Sequence, residues 1–144
     1  MLLINNWGET VGFSRNTISR MKKHFFEKNL LRNLTLPNLD KLGFEILSFY
    51  HLKFNSHNPP SKEYIKNLDT ASTIFLASRE FEIILISAYP GYQNYKEDKM
   101  HKIRFLKEND FISHDPLIRK YMFERMVIIK DFDFAPISKN ILKI

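Results

Sequence analysis

The segment from Phe44 to Phe54 constrains the fold most, because its residues alternate with the two-residue period of a β-strand and its second face is not purely polar. One face consists of Phe44, Ile46, Tyr50, Leu52 and Phe54, and the other of Glu45, Leu47, Phe49, His51 and Lys53. The pattern predicts a long strand at the start of a module that mixes strands and helices.

The chain after this strand switches between alternating and helical apolar spacing. The first predicted element is a helix that starts at Asn58-Pro59-Pro60-Ser61 and runs through Tyr64, Ile65 and Leu68. Two strands follow, Thr73–Ala77 and Phe81–Tyr89, around a turn at Ser78–Glu80, and Pro90-Gly91 ends the second of them. The last two elements are a helix Asn94–Glu108, with Tyr95, Met100, Ile103 and Leu106, and a final strand Met126–Phe134. Two interpretations of Ser113–Glu124 stay open: Asp115-Pro116 starts a helix, or Leu117–Phe123 extends the last strand. The order β-α-β-β-α-β predicts an α+β fold of the ferredoxin-like kind, with two helices on one face of four antiparallel strands.

Two of the predicted strands are apolar on both faces, as Ile83–Ile86 and Met126–Ile129 show. Because the two helices cover one face only, a second layer must cover the other face. The same face of a second copy is the nearest candidate, which predicts a twofold dimer. Packing of the N-terminal helices against the sheet is the alternative, although those helices have little apolar surface to spare. The residues predicted at the dimer interface are Leu47, Phe49, Ile84 and Ile86.

Near the start of the chain the apolar spacing is helical from Asn16 to Leu30. One side of this helix holds Ile18, Met21, Phe25 and Leu30, and another holds Asn16, Ser19, Arg20 and Lys23. Ser14 is placed to cap the helix, and Gly12 permits a sharp turn after a short helix at Asn6–Val11. The prediction is a helix-turn-helix.

An extended segment, Leu31–Leu36, is predicted after the helix, and Pro37-Asn38 breaks it before a turn at Leu39–Leu42 and Gly43. We place the domain junction there. Residues 1–36 are predicted to form the helix-turn-helix segment, and residues 37–144 the ferredoxin-like domain.

Positive charge is concentrated at the N-terminal end, since residues 1–35 hold six basic and two acidic side chains and so carry +4 of the net +6. Such asymmetry is expected of a module that meets a polyanion. In a helix-turn-helix the second helix lies in the major groove, where Arg suits guanine and Asn suits adenine, while other side chains hold phosphates. Thr17 and Lys22 are better placed for phosphates than for bases. The predicted contacts to double-stranded DNA are Arg15, Asn16, Thr17, Ser19, Arg20, Lys22 and Lys23.

The composition excludes several kinds of site. There are no cysteines, so thiolate metal sites and disulfides are impossible, and the five histidines are scattered without an i, i+4 pair. We expect no metal, no cofactor and no catalytic residue. No apolar run approaches the roughly 20 residues that cross a bilayer, and the first residues lack a secretory signal pattern, which predicts a cytoplasmic protein with no membrane partner.

A resemblance to a known family adds to these patterns. The run Val11-Gly12-Phe13-Ser14-Arg15-Asn16-Thr17-Ile18-Ser19-Arg20-Met21-Lys22-Lys23, followed by Phe26-Glu27-Lys28-Asn29-Leu30-Leu31, resembles the helix-turn-helix of the Lrp/AsnC feast-or-famine regulators. The resemblance implies a prokaryotic transcription regulator that is not an enzyme, with a winged-helix or helix-turn-helix part and a ferredoxin-like RAM domain that forms a homodimer or a higher oligomer. Members of the family carry a further helix before these two, so we expect the DNA-binding part of this chain to be shortened.

The resemblance also implies a small-molecule effector. In the family, a glycine-x-(tyrosine or phenylalanine)-aspartate turn between the second and third strands helps to line an amino-acid pocket, whereas this chain has Arg79-Glu80-Phe81-Glu82. Arg79 stands at the glycine position, where its side chain crowds a pocket, offers a cation to a carboxylate ligand, or lies in a plain solvated turn. The candidate effector residues are Ser78, Arg79 and Glu80.

Two alternatives share the same fold. Relatives of this domain pair include siroheme decarboxylases, and His51 with the many tyrosines would have to serve such a site. The other alternative is an assembly module that joins full-length paralogues and lowers their affinity for DNA. Fold analogy alone does not decide between these functions.

Overall fold

The computed structural model describes residues 12–33 and 35–130. Two compact units are distinguished, of which one is Pro37–Val127 and the other contains helix α1, Arg15–Glu27. The predicted short helix Asn6–Val11 and the residue Trp7 lie outside the described residues.

The unit Pro37–Val127 is an antiparallel sheet with helices. Its elements are β1 Ile46–Lys53, α2 Lys62–Lys66, β2 Thr73–Arg79, β3 Glu82–Tyr89, α3 Tyr92–Glu108, β4 Leu117–Met122 and a 3₁₀ turn Phe123–Arg125. The strand order is β2-β3-β1-β4, so the first and third strands are central. The predicted β-α-β-β-α-β order and the ferredoxin-like arrangement are confirmed.

Local chemistry explains where the helices begin. Ser61 caps α2, its hydroxyl accepting from the amide of Tyr64 at 3.5 Å, directly after the two prolines that end the preceding loop. Helix α3 begins at Tyr92 after Gly91, two residues before the predicted start. The turn predicted at Leu39–Leu42 is also present, and Gly43 follows it with φ +84°, a conformation that side chains with a Cβ seldom adopt.

The predicted alternation along β1 is confirmed, with Ile46, Ser48, Tyr50 and Leu52 buried beneath the helices. On β3 the matching buried positions are Ile83, Leu85, Ser87 and Tyr89. The main core joins these strands to residues of α2, α3 and the segments that follow them, and it includes Leu68, Leu106, Phe111 and Ile112. The opposite side of the sheet is not covered by any described helix of this unit, and we call it the open face.

The predicted final strand, Met126–Phe134, is wrong over its described part, residues 126–130. Among the described residues the last strand is β4, Leu117–Met122, which pairs with β1 and resolves the ambiguity of Ser113–Glu124 in favour of a strand. Val127 and Ile129 are 83% and 96% exposed and lie in no strand, and residues 131–134 lie outside the described residues. The apolar run was misleading because β4 is an edge strand with Arg119 and Lys120 at its centre, where a partly exposed edge accepts long charged side chains.

Smaller corrections concern element ends. The turn between β2 and β3 consists of Glu80 and Phe81, because β2 continues to Arg79, which pairs with Glu82. This is two residues beyond the predicted end of the second strand. Cross-strand pairing extends the hairpin, since each further pair joins backbone groups that would otherwise need water.

Candidate nucleic-acid interface and open sheet face

Helix α1 begins with a fixed N-terminus, as predicted. Gly12 has φ +68°, Ser14 has extended backbone, and the Ser14 hydroxyl accepts from the amide of Thr17 at 3.3 Å. The hydroxyls of Ser14 and Thr17 are also 3.0 Å apart. The Thr17 side chain is therefore part of the cap.

The C-terminus of α1 lies three residues before the predicted end at Leu30. Asn29 has φ +55°, its amide donates to the carbonyl of Phe26 at 3.0 Å, and the amide of Leu30 donates to that of Phe25 at 2.8 Å. These two bonds form a Schellman motif, in which a left-handed residue closes the helix and satisfies its last carbonyls. Leu30 accordingly lies beyond the helix and is exposed.

The side chains predicted to contact DNA fall into two groups. Arg15, Asn16, Ser19, Arg20 and Lys23 are exposed, whereas Thr17 and Lys22 are partly buried. At about 100° per residue the five exposed positions occupy one sector of about 140°. We call these five residues the polar sector of α1.

Apolar residues occupy the other side of α1. Ile18 and Phe25 are partly buried, and Met21 is more exposed. The two partly buried polar residues flank this side, and Lys22 lies with its ammonium 5.7 Å from the centre of the Phe26 ring. Within the polar sector, Lys23 forms a long, exposed ion pair with Glu27 at 3.9 Å, which costs little to break.

The open face of the sheet carries an apolar centre. Leu47 and Phe49 on β1, Ile86 on β3 and Tyr121 on β4 line a shallow depression of about 380 Å³. Ile84 lies on the same face and is exposed, so the face holds all four side chains predicted at the dimer interface. Sequence reasoning missed the contributions of other strands, Phe75 on β2 and Leu117 and Tyr121 on β4. The residues on β4 were missed because that strand was not recognised.

One end of the open face is charged. Glu82 accepts from Arg79 Nη2 at 3.1 Å, and its Oε2 atom lies 3.4 Å from His51 Nε2. The hydrogen bond with His51, aided by the neighbouring Arg79 guanidinium, lowers the pKa of the Glu82 carboxyl. His51, on which the decarboxylase alternative depends, thus lies beside a carboxylate at the margin of the sheet.

The three candidate effector residues are close in sequence but do not share a surface. Arg79 points with Glu82 to the open face, Ser78 pairs with Ile83 on the alternate face, and Glu80 lies in the turn. Of the three, Arg79 is the one placed beside the apolar centre.

Sequence reasoning missed a buried polar network beneath the sheet. Lys102 of α3 is 2% exposed, and its ammonium donates to Asp98 and, at 3.1 Å, to the hydroxyl of Thr70. Asp98 also accepts from the hydroxyl of Tyr89 at 2.7 Å, and that hydroxyl is 3.0 Å from the hydroxyl of Tyr50. A signal was present in the sequence, because Asp98 and Lys102 lie four residues apart on the helical stripe of Tyr95 and Leu106.

Burial sets the proton affinities in this network. It raises the pKa of Tyr50 to about 12 and raises that of Tyr89 as well, since a buried phenolate loses its hydration. Burial also lowers the pKa of Lys102, while the hydrogen bond to Asp98 opposes this effect. The network therefore joins the Lys102–Asp98 salt bridge to two phenols that are neutral at neutral pH.

The described residues contain no group of three or more side chains arranged to hold a metal ion. No helix among them combines the length and the apolar character that a membrane crossing requires.

Comparison with known proteins gives matches among solved structures. No family model and no curated protein matches the sequence. The structure of AsnC from E. coli matches with a TM-score of 0.62 at 10% identity, covering 91% of this chain and 86% of that one. An AsnC family transcriptional regulator from Agrobacterium tumefaciens matches at 0.57 and 14% identity, covering 94% and 88%.

A third match is a transcriptional regulator from Neisseria meningitidis solved as an L-Met complex, with a TM-score of 0.61 at 10% identity and coverage of 94% of this chain and 88% of that one. At such identities a match reports the arrangement of the backbone, and functional sites have to be argued from their own residues. This chain has the fold of the AsnC family of transcriptional regulators.

Proposed function

We propose that this chain is a DNA-binding transcription regulator of the Lrp/AsnC type, which reads the major groove with α1 and assembles through the open face of its sheet. The observation that carries the proposal is the polar sector of α1, an exposed surface of groove-reading residue types on a helix whose N-terminus is fixed by Ser14. The shared fold of solved regulators supports it.

Groove reading requires side chains that project from the first turns of a helix. Arg15, Asn16 and Arg20 are exposed in that region, and their side chains have no hydrogen-bond or ion-pair partner among the described residues. Arg pairs with the two acceptors of guanine, and Asn with the acceptor and donor of adenine. The Ser14–Thr17 cap holds the start of the helix, so these side chains extend from a fixed backbone.

The partly buried Lys22 fits a contact to the phosphate backbone, because it flanks the polar sector of α1 and its ammonium, 5.7 Å from the centre of the Phe26 ring, has no carboxylate partner among the described residues. A phosphate contact adds affinity for every sequence and makes binding sensitive to salt. Arg20 and Lys22 are therefore proposed to play different parts on the same helix.

Assembly is proposed from the apolar character of the open face. Phe75, Ile84 and Tyr121 are each exposed by two fifths or more, which is unusual for a contiguous apolar surface on a monomer. A twofold dimer buries the same patch on both copies, so this one surface is sufficient to form a closed dimer. Larger assemblies need a second contact.

A small-molecule effector is proposed as a further partner, at the charged end of the open face. One solved structure with this fold is an L-Met complex. In this chain one cation available there is Arg79, which already contacts Glu82, so a carboxylate ligand that binds Arg79 must compete with that carboxylate. We expect weak binding for this reason.

The DNA-binding proposal is tested by selection from a random duplex library, followed by mobility-shift assays at two salt concentrations. Arg20→Ala should relax the sequence preference, whereas Lys22→Ala should weaken binding to all duplexes and lower its dependence on salt. Lys62→Ala, an exposed lysine on α2, is the matched control and should change neither. Absence of binding to any duplex by the folded chain would contradict the proposal.

The assembly proposal is tested by analytical ultracentrifugation. Phe49→Asp should convert the dimer to a monomer, because dimerisation would bury the new carboxylate in an apolar interface, and the loss of its hydration is unfavourable. Met100→Asp places the same charge on the exposed side of α3 and should leave the mass unchanged. An unchanged mass for Phe49→Asp rules out this interface.

A further inference from the structure

The strand β2 forms one edge of the sheet, where its only strand partner among the described residues is β3. In an antiparallel sheet, every second residue of an edge strand points its backbone amide and carbonyl away from the neighbouring strand. Apart from the ladder with β3, no backbone hydrogen bond within the described part of the chain involves residues 74–79. This edge therefore presents a row of free donors and acceptors.

The side chains of β2 do not protect this edge. Residues 73–78 include no charged side chain and no proline, and Ile74 and Phe75 are 55% and 50% exposed. The opposite edge of the sheet differs, because β4 carries Arg119 and Lys120 at its centre. Charged residues on an edge strand disfavour pairing with another chain. Of the two edges, β2 is the one suited to accept a further strand.

The sequence of β2 is compatible with pairing to itself. A register shift near the start of the strand leaves Phe75–Arg79 as its regular part. When two copies of this segment lie antiparallel about a twofold axis, Ala77 lies opposite itself and Leu76 lies opposite Ser78. The first residue of the segment then lies opposite the last.

The opposed side chains suit each other in size and chemistry. Ala77 is the smallest side chain of β2, and it stands at the axis, where two large side chains would crowd each other. At the ends of the segment, Phe75 of one copy faces Arg79 of the other, a combination that favours a cation–π contact. Arg79 also keeps its ion pair with Glu82 at 3.1 Å, so its charge is balanced within its own hairpin.

We propose that the free edge of β2 pairs with the same edge of a second copy of this chain, in the antiparallel register centred on Ala77. The twofold axis is normal to the sheet, so the eight described strands of the two copies form one continuous sheet with both open faces on the same side. This contact is separate from the contact proposed through the open face and supplies the second contact that larger assemblies need. Because a short segment of each chain takes part, the contact is small, and we expect it at high protein concentration.

Cross-linking tests the register, because the chain contains no cysteine and a single introduced thiol reports its own neighbour. In a Phe49→Asp background, which removes the open-face contact, Ala77→Cys should form a disulfide-linked dimer on oxidation at high protein concentration. Directly opposite side chains are about 5 Å apart at their Cβ atoms. Lys120→Cys on the edge of β4 and Ser56→Cys, at an exposed serine, are the controls and should stay monomeric. Equal cross-linking of all three variants contradicts the proposal.

Charge exchange at the axis tests the same contact without a covalent bond. Ala77→Glu and Ala77→Lys should each weaken the pairing several-fold in concentration-dependent sedimentation, because like charges then lie opposite each other. An equimolar mixture of the two variants should restore the pairing, since unlike charges meet at the axis. The same two charges at Met100, on the exposed side of α3, should change nothing. A mixture that sediments like either variant alone overturns the proposal.

Hydrogen exchange on the unmodified chain makes the test independent of the variants. The outward amides of β2 should exchange rapidly at low protein concentration and more slowly as the concentration rises. Protection at every concentration would show that another segment of the same chain covers the edge, and fast exchange at every concentration would show that nothing does. Either result contradicts the proposal. The sedimentation of Phe49→Asp at low concentration tests the open-face contact by itself, so the failure of one contact is distinguished from the failure of the other.

Discussion

The charge pair of Asp98 and Lys102 allows a quantitative prediction, because the two partners differ in burial. The side chain of Lys102 is 3% exposed and that of Asp98 is 12% exposed. Asp98→Asn removes the negative charge and leaves the buried ammonium of Lys102 with neutral acceptors, the new amide oxygen and the hydroxyl of Thr70. Breaking a buried pair in this way costs about 3–5 kcal/mol of unfolding free energy.

The cost has an upper limit that can be worked out independently. The folded variant can release the proton of Lys102, and at pH 7 this costs about 5 kcal/mol, from about 1.4 kcal/mol per pH unit over the interval up to the ordinary lysine pKa of 10.5. The cost of breaking a buried ion pair, about 3–5 kcal/mol, thus stays within the limit set by deprotonation of Lys102, about 5 kcal/mol. We expect a loss within this range for Asp98→Asn.

The sign of the pH dependence follows from the same balance. A lysine whose pKa is lowered in the folded state binds fewer protons there than in the unfolded chain, so the stability of the variant rises with pH between the folded and the unfolded pKa. Between pH 7 and pH 9 the variant should recover up to about 2.7 kcal/mol relative to the unmodified protein.

Urea unfolding at several pH values measures these quantities. The protein concentration is held constant, because the proposed dimerisation would contribute to the apparent stability. The double variant Asp98→Asn, Lys102→Met should regain most of the loss, because it removes both charges. Asp115→Asn breaks an exposed pair with Lys107 and should have no measurable effect. A loss below about 1 kcal/mol for Asp98→Asn, or a loss that does not shrink as pH rises, refutes the reasoning.

Three further predictions concern single positions. Ser14→Ala should destabilise the start of α1 by about 1 kcal/mol, seen as faster amide exchange at Thr17 than in Ser56→Ala. Asn29→Ala should cost about 1 kcal/mol because of its positive φ, whereas Asn29→Gly should cost nothing, and helix content on thermal unfolding distinguishes them. The pKa of Tyr50 is raised from 10.0 to about 12 in the folded protein. Its neutral phenol therefore contributes to the unfolding free energy below pH 10, and this contribution is lost as pH rises through 12. Tyr50→Phe should flatten the fall in unfolding free energy over that interval.

The parts of the fold that could be predicted from sequence are those where local chemistry and tertiary packing agree. The alternation of β1 reports the same two faces that the sheet shows, and Ser14 and Ser61 cap helices where a hydroxyl precedes a helical run. Proline and glycine marked the ends of elements because they restrict or release the backbone whatever packs around it.

The errors arose where tertiary context overrides local preference. On β4, Lys120 occupies a position of the helix-side face and lies with its ammonium 4.7 Å from the centre of the Tyr92 ring, so a charged residue interrupts the expected pattern. The apolar run after it looked more like a strand but has no pairing partner among the described residues. Edge strands have weak patterns for this reason.

The polar network was missed for the same physical cause. A lysine in an amphipathic helix is expected at the surface, and Lys102 is buried only because Asp98, Thr70 and the tyrosines of two distant strands surround it. Met100, predicted on the apolar side, is instead half exposed. The polar sector of α1 was predicted correctly as a surface, because five exposed polar positions at helical spacing require no tertiary partner.

The strand order has a consequence for the route by which the unit folds. The neighbouring strands β2 and β3 are joined by a two-residue loop. The other two pairs of neighbours are far apart in the chain: α2 and β2 lie between β1 and β3, and α2, β2, β3 and α3 lie between β1 and β4. Closing a short loop loses less chain entropy and takes less time than closing a long one. We therefore expect the β2–β3 hairpin to be the first long-lived pairing, and β1 to dock afterwards on its free edge. The polar network assembles with that step, since Tyr50 comes from the docking strand and Tyr89 from the hairpin, and substitutions at Tyr50 should slow folding less than substitutions within the hairpin.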